Sequence, residues 1–194
     1  MNRLAIFLAD GFEEIEALAV VDICRRGGLT IDMISIMGKP EVTGSHGIMV
    51  KADGLFEDAV IGDYDMLILP GGMPGTLKLE AHEALMQQVD EFYAAGKKIG
   101  AICAAPSIFG HKGILKGRRA CSYPTFENQL EGAAVTSGPV EISDNVITSR
   151  GMGTAIDFGL AILGVFCGQE MAQKIAKAII YQDVSYRMPG EEEV

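Results

Sequence analysis

Leu4-Ala5-Ile6-Phe7-Leu8-Ala9 is apolar without a break. A strand wetted on one side alternates apolar with polar residues, so an unbroken apolar run belongs to a sheet covered on both faces. Asp65-Met66-Leu67-Ile68-Leu69 repeats the pattern, and Lys97-Lys98-Ile99-Gly100-Ala101-Ile102 ends in a third such run. Helical patterns lie between them. Glu13 to Arg26 is closed by Gly27-Gly28, and Glu80 to Ala95 carries Leu85, Met86, Val89 and Phe92 at helical spacing before Gly96. Further strands are expected at 29–36 and 145–149, weaker ones at 118–122 and 135–136, and a small hairpin within 38–51. Helices are expected at 154–166 and 169–181. Buried strands alternating with helices predict an α/β fold, a parallel sheet sandwiched between helices. A chain of 194 residues suits one domain, expected over 1–184, with 185–194 as a loose acidic tail.

In such sheets, active sites lie beyond the carboxyl ends of the strands. That rule selects Asp10–Glu16, Pro70–Gly75, Cys103 and Arg150–Gly153 as segments converging on one crevice. Cys103 ends an apolar strand where a helix is expected to begin, with small Ala101 and Ala105 at minus two and plus two. That is the pattern of a sharp strand-to-helix elbow. Free amides and the helix dipole there favour a thiolate, whereas the bland reading makes Cys103 a small core residue. Glu13, Glu14 and Glu16 all complement the dipole of the first helix. Glu16 differs in heading a face continued by Ala19, Val20 and Ile23. A carboxyl drawn toward a core is held protonated, and it can then hydrogen-bond a thiolate or shuttle a proton. Pro70-Gly71-Gly72-Met73-Pro74-Gly75 is either a rigid turn or a set of N–H donors that stabilise an oxyanion together with that of Ala104. Its spacing fits no phosphate loop.

Histidine is scarce. His82 opens a helix and is expected to be exposed, and His111 faces away from the elbow. His46, in the hairpin, reaches the crevice only by folding over it or from a second subunit. With no histidine beyond position 111, a Cys-His-Glu triad with a late histidine is unavailable.

The net charge of −10 disfavours nucleic acid and anionic membranes as partners. No apolar run approaches the length of a membrane span, and the first is too short for a signal peptide. Cys24, Cys103, Cys121 and Cys167 form no C-x-x-C pair. A cytoplasmic protein with reduced thiols is expected, with neither a zinc knuckle nor a thioredoxin motif indicated. Cys121 is a weak candidate for a resolving thiol.

Gly11-Phe12-Glu13-Glu14-Ile15-Glu16, Leu69-Pro70-Gly71-Gly72, Ala101-Ile102-Cys103-Ala104-Ala105-Pro106 and Thr148-Ser149-Arg150-Gly151-Met152-Gly153-Thr154 occur in this order. Together they resemble the ThiJ/PfpI superfamily, in its branch of parkinsonism-associated protein deglycases, over about residues 3 to 182. The resemblance implies a flavodoxin-like homodimer with Cys103 as the oxidisable nucleophile and Glu16 as its hydrogen-bond partner. It implies Gly72 and Ala104 as backbone donors beside the sulfur; Tyr123, His46 and Gly71 are further candidates for lining the site. Asp22 and Arg26, on the first helix, would lie near the dimer contact. The implied activities are cofactor-free conversion of methylglyoxal to lactate and removal of glycation adducts from protein side chains. The alternative is an oxidative-stress sensor or redox-regulated chaperone using the same cysteine. Two departures matter. Ala104 stands where the protease-like branch has histidine, which disfavours a peptidase. Tyr123 stands where relatives often have histidine, and tyrosine is a poor base near neutral pH.

Overall fold

The structure is a computed structural model that describes residues 2–181. The expected acidic tail lies outside the described residues. β1 (Arg3–Leu8) leads into α1 (Glu14–Arg26), which Glu13 caps by accepting the Glu16 N–H at 2.7 Å. β2 (Thr30–Ser35) follows, then the expected hairpin as β3 (Glu41–Thr43) and β4 (Met49–Lys51), and a short β5 (Gly54–Leu55). After β6 (Met66–Leu69) comes α2 (Gly75–Ala81), which was not expected, and then α3 (Glu83–Ala94) within the helix expected over 80–95. His82 separates them. Its Nδ1 accepts the Leu85 N–H at 3.1 Å and its ring lies edge-on to Phe56, so it is half-buried and not the exposed residue expected.

β7 (Lys98–Ile102) and the short α4 (Pro106–His111) carry Cys103 between them. β8 (Arg119–Ala120) and β9 (Ala134–Val135) pair with each other, and Cys121 falls one residue past β8 instead of on a strand. β10 (Val140–Ser143), which the sequence reading missed, pairs antiparallel with β11 (Val146–Ser149). α5 (Ala155–Cys167) and α6 (Gln169–Ala178) complete the described chain.

The main sheet has the order β10-β11-β7-β6-β1-β2-β5 and is parallel apart from β10. Alternation along β1 divides the core. Leu4, Ile6 and Leu8 pack with Val20, Phe158 and Ile162 of α1 and α5. Ala5 and Phe7 pack on the other face with Leu85, Val89, Ile108 and Phe109 of α3 and α4. The chain runs outward from β1 in one direction and then from β6 in the other. The crevice between those two strands is therefore the switch point where the sheet opens to ligands.

Candidate active site

The expected segments do meet at that crevice, and backbone hydrogen bonds hold them. The Glu13 N–H donates to the Gly71 carbonyl at 2.9 Å and the Gly75 N–H to the Gly11 carbonyl at 3.2 Å. The Cys103 N–H donates to the Ser149 carbonyl at 3.1 Å, and the Tyr123 N–H donates to the Cys103 carbonyl at 2.8 Å. Cys103 has φ +65°. A side chain in that left-handed region costs roughly 1–2 kcal/mol, and the two flanking hydrogen bonds keep it there. Ala101 and Ala105, both fully buried, leave room for the turn.

Glu16 is buried and meets the Cys103 thiol. Its Oε2 accepts the Gly71 N–H at 3.0 Å, and the Met152 N–H reaches the same carboxyl. The 150–154 loop that presents Met152 is shaped by Thr154, whose Oγ1 accepts the Arg150 N–H at 3.2 Å and the Gly151 N–H at 3.1 Å. Gly71 is obligatory, because a β-carbon there would stand 2.5 Å from Cys103 Cβ and 2.6 Å from Glu16 Oε2. At Gly72, φ +92° turns the peptide so that its N–H joins that of Ala104 on the Cys103 sulfur.

Burial pushes the Glu16 carboxyl up from 4.5 to about 7, with the Glu13 charge adding to the rise; the thiol contact and the Gly71 and Met152 amides pull the other way. Burial and then the Glu16 carboxylate also push the Cys103 thiol up, against the Ala104 and Gly72 amides. The expectation that a helix dipole lowers this thiol is corrected. α4 has only 6 residues and starts at Pro106, so its field is weaker than burial beside a carboxylate. The pair can instead carry a single charge between its two groups. A proton passing from sulfur to carboxyl leaves the net charge unchanged, so the cost of keeping that charge out of water largely cancels. The two amides then receive the charge on sulfur.

The 44–48 hairpin loop folds over the first turn of α1. His46 Nδ1 lies 2.9 Å from Glu14 Oε2 and 4.0 Å from Glu13 Oε1. The His46 and Ile48 N–H groups donate to Glu14 Oε1 at 2.8 and 3.4 Å. Against the cost of burial, these bonds draw the Glu14 carboxyl down to about 2, while hydrogen bonding to Glu14 raises His46. Glu14 is thus the clamp that seats the hairpin beside the crevice, a role missed in the sequence. Glu13, Glu14 and His46 also place one potential metal-ligand atom each within 4.8 Å of the others, although the hairpin already engages the Glu14 carboxylate.

Tyr123 is half-exposed. A β-carbon on Gly151 would lie 3.5 Å from its ring and 3.8 Å from Glu16 Oε1, so ring and carboxyl border the same glycine. His111 pairs with Glu80 at 2.6 Å. Cys121 is buried, its thiol donating to the Thr148 carbonyl at 3.3 Å. Asp22 and Arg26 pair with each other on the exposed side of α1.

The chain matches the DJ-1/PfpI family over residues 2–164. It is 33% identical to Protein DJ-1 homolog B of Arabidopsis thaliana across 92% of this chain and 41% of that relative, so it spans less than half of that relative's length. It is 33% identical to Glutathione-independent glyoxalase DJR-1.2 of Caenorhabditis elegans, over 92% of this chain and 95% of that relative. Oxidised DJ-1 of Toxoplasma gondii superposes with a TM-score of 0.89 at 36% identity, covering 93% of this chain and 99% of that one. Among the described residues, no helix is long and apolar enough to cross a membrane.

Proposed function

The chain belongs to the DJ-1/PfpI family, and from that premise we propose that it is a cysteine-dependent, cofactor-free enzyme acting on reactive carbonyls. The observation that carries the reading is a buried carboxyl touching a thiol whose sulfur also receives two backbone N–H groups. Proton transfer from Cys103 to Glu16 yields the nucleophile. Its sulfur adds to the aldehyde carbon of a 2-oxoaldehyde, and the new hemithioacetal oxygen takes hydrogen bonds from the Gly72 and Ala104 amides. Glu16 gives the proton it holds to that oxygen; its carboxylate then takes the proton from the same carbon and returns it to the neighbouring one while the hydroxyl proton moves to the former ketone oxygen, leaving a thioester of a 2-hydroxy acid. Water hydrolyses the thioester and frees Cys103, so methylglyoxal plus water becomes lactate. A carboxyl ionising near 7 suits both halves of that shuttle. The same attack on early glycation adducts would release them from protein side chains. The glyoxalase relative from C. elegans supports the reading. Location in the cytoplasm and assembly as a homodimer through α1, near Asp22 and Arg26, belong to the same proposal.

Lactate production from methylglyoxal, with Cys103→Ser alongside, tests it. Turnover that depends on Cys103 is expected, and none above the variant overturns the reading. The second reading is oxidative sensing: peroxide takes the half-buried Cys103 to sulfenic and then sulfinic acid, each step releasing water. The donors around the sulfur are also those a sulfinate needs. Glu16→Gln separates the two, since the amide still donates a hydrogen bond but no longer shuttles a proton.

A further inference from the structure

Each of three segments that touch the reacting pair through their backbone also carries a large, half-exposed apolar side chain. Met73 follows Gly72 and is 45% exposed, Tyr123 is 48% exposed, and Met152 is 57% exposed. Single exposed apolar residues are ordinary on a protein surface. Here they come from the loops after β6, β8 and β11, whose backbones all reach the Cys103–Glu16 pair. The Gly72 and Met152 N–H groups point at Cys103 and Glu16, and Tyr123 is bonded to the Cys103 carbonyl. Electrostatics narrows the choice further. The pair's own charge and that of Glu13 beside it are negative. Lys39 pairs with Asp10 at 3.9 Å and Arg150 pairs with Glu127 at 3.4 Å, although the buried Arg150 Nε has no hydrogen-bond partner. An anionic carbonyl compound is therefore repelled, and one with two small polar ends leaves the apolar side chains unused.

We propose that Met73, Tyr123 and Met152 form an apolar collar that selects uncharged 2-oxoaldehydes bearing an aryl or branched alkyl group over methylglyoxal and glyoxal. This rests on the carbonyl-enzyme reading above. The chemistry is unchanged: the aldehyde carbon is oxidised to the acid, the adjacent ketone is reduced to the alcohol, and one water is consumed. Phenylglyoxal gives mandelate. Apolar contacts of this size are worth roughly tenfold or more in kcat/KM.

The test compares kcat/KM for phenylglyoxal and methylglyoxal in the wild type, Met73→Ser, Tyr123→Ser and Tyr123→Phe. The ratio between substrates within each protein removes effects common to both. The expected result is at least a tenfold preference for phenylglyoxal in the wild type. That ratio should fall about tenfold in either serine variant and survive in Tyr123→Phe, which keeps the ring. A ratio that is the same in all four proteins overturns the collar and leaves the carbonyl enzyme standing. A ratio lost equally in Tyr123→Phe assigns the effect to the hydroxyl and also overturns it. Turnover of neither substrate above Cys103→Ser overturns both proposals.

Discussion

Replacing Glu16 with glutamine is expected to stabilise this protein above neutral pH while abolishing its turnover. Burial raises the carboxyl from 4.5 to about 7. At 1.36 kcal/mol per pH unit, the buried charge costs on the order of 3 kcal/mol. The sign follows from linkage. Below pH 4.5 the carboxyl is protonated in folded and unfolded chains alike, and nothing is lost. From there to about pH 7 only the unfolded chain ionises, so stability declines, and above 7 the loss is complete. Glutamine removes the charge and keeps an oxygen to accept the Gly71 N–H. Urea unfolding at pH 4 and pH 8 measures the difference. Near-equal stability is expected at pH 4, with the variant ahead by up to ~3 kcal/mol at pH 8. A difference that does not change with pH would falsify the assignment of a buried, raised carboxyl.

Gly71→Ala should eliminate turnover with the fold retained, because the new methyl falls between Cys103 and Glu16; activity near wild type would show that the pair tolerates displacement. Glu14→Gln should loosen the hairpin and return His46 toward its ordinary titration, since Glu14 raises it. Faster amide exchange at residues 44–48 and a lower His46 pKa by NMR are the readouts, and unchanged exchange would remove the clamp. Phe158→Ala, at a fully buried site between α5 and the sheet, should cost about 3–5 kcal/mol in chemical denaturation.

The sheet was legible because its strands are buried on both faces. Leu4–Ala9 and Asp65–Leu69 announce themselves without any help from context, and the rule for carboxyl ends then gathers the crevice. β10 escaped because Val140–Ser143 is an edge strand with no buried position and no unbroken apolar run. α2 escaped because Pro74 and Gly75 look like a turn, when they stand at the start of a helix. Glu16 was separable from Glu13 and Glu14 by the apolar face it heads. The clamp by Glu14 was not, because its partners lie across the chain in a hairpin whose docking no local pattern encodes. The upward push on the Cys103 thiol was equally hidden, since it depends on burial next to Glu16 and overrides a local argument from the following helix.

The hydrogen bonds that pin Cys103 come from Ser149 and Tyr123, both made later than the cysteine as the chain leaves the ribosome. Until β11 docks against β7, the Ser149 bond to Cys103 is missing, and so is the Met152 N–H that reaches the Glu16 carboxyl. A nascent chain therefore carries Cys103 as an ordinary thiol, ionising near 9. Its special reactivity is acquired late, with the arrival of one of the last strands. Chains that end before Val146 keep both residues of the pair and should have the chemistry of neither.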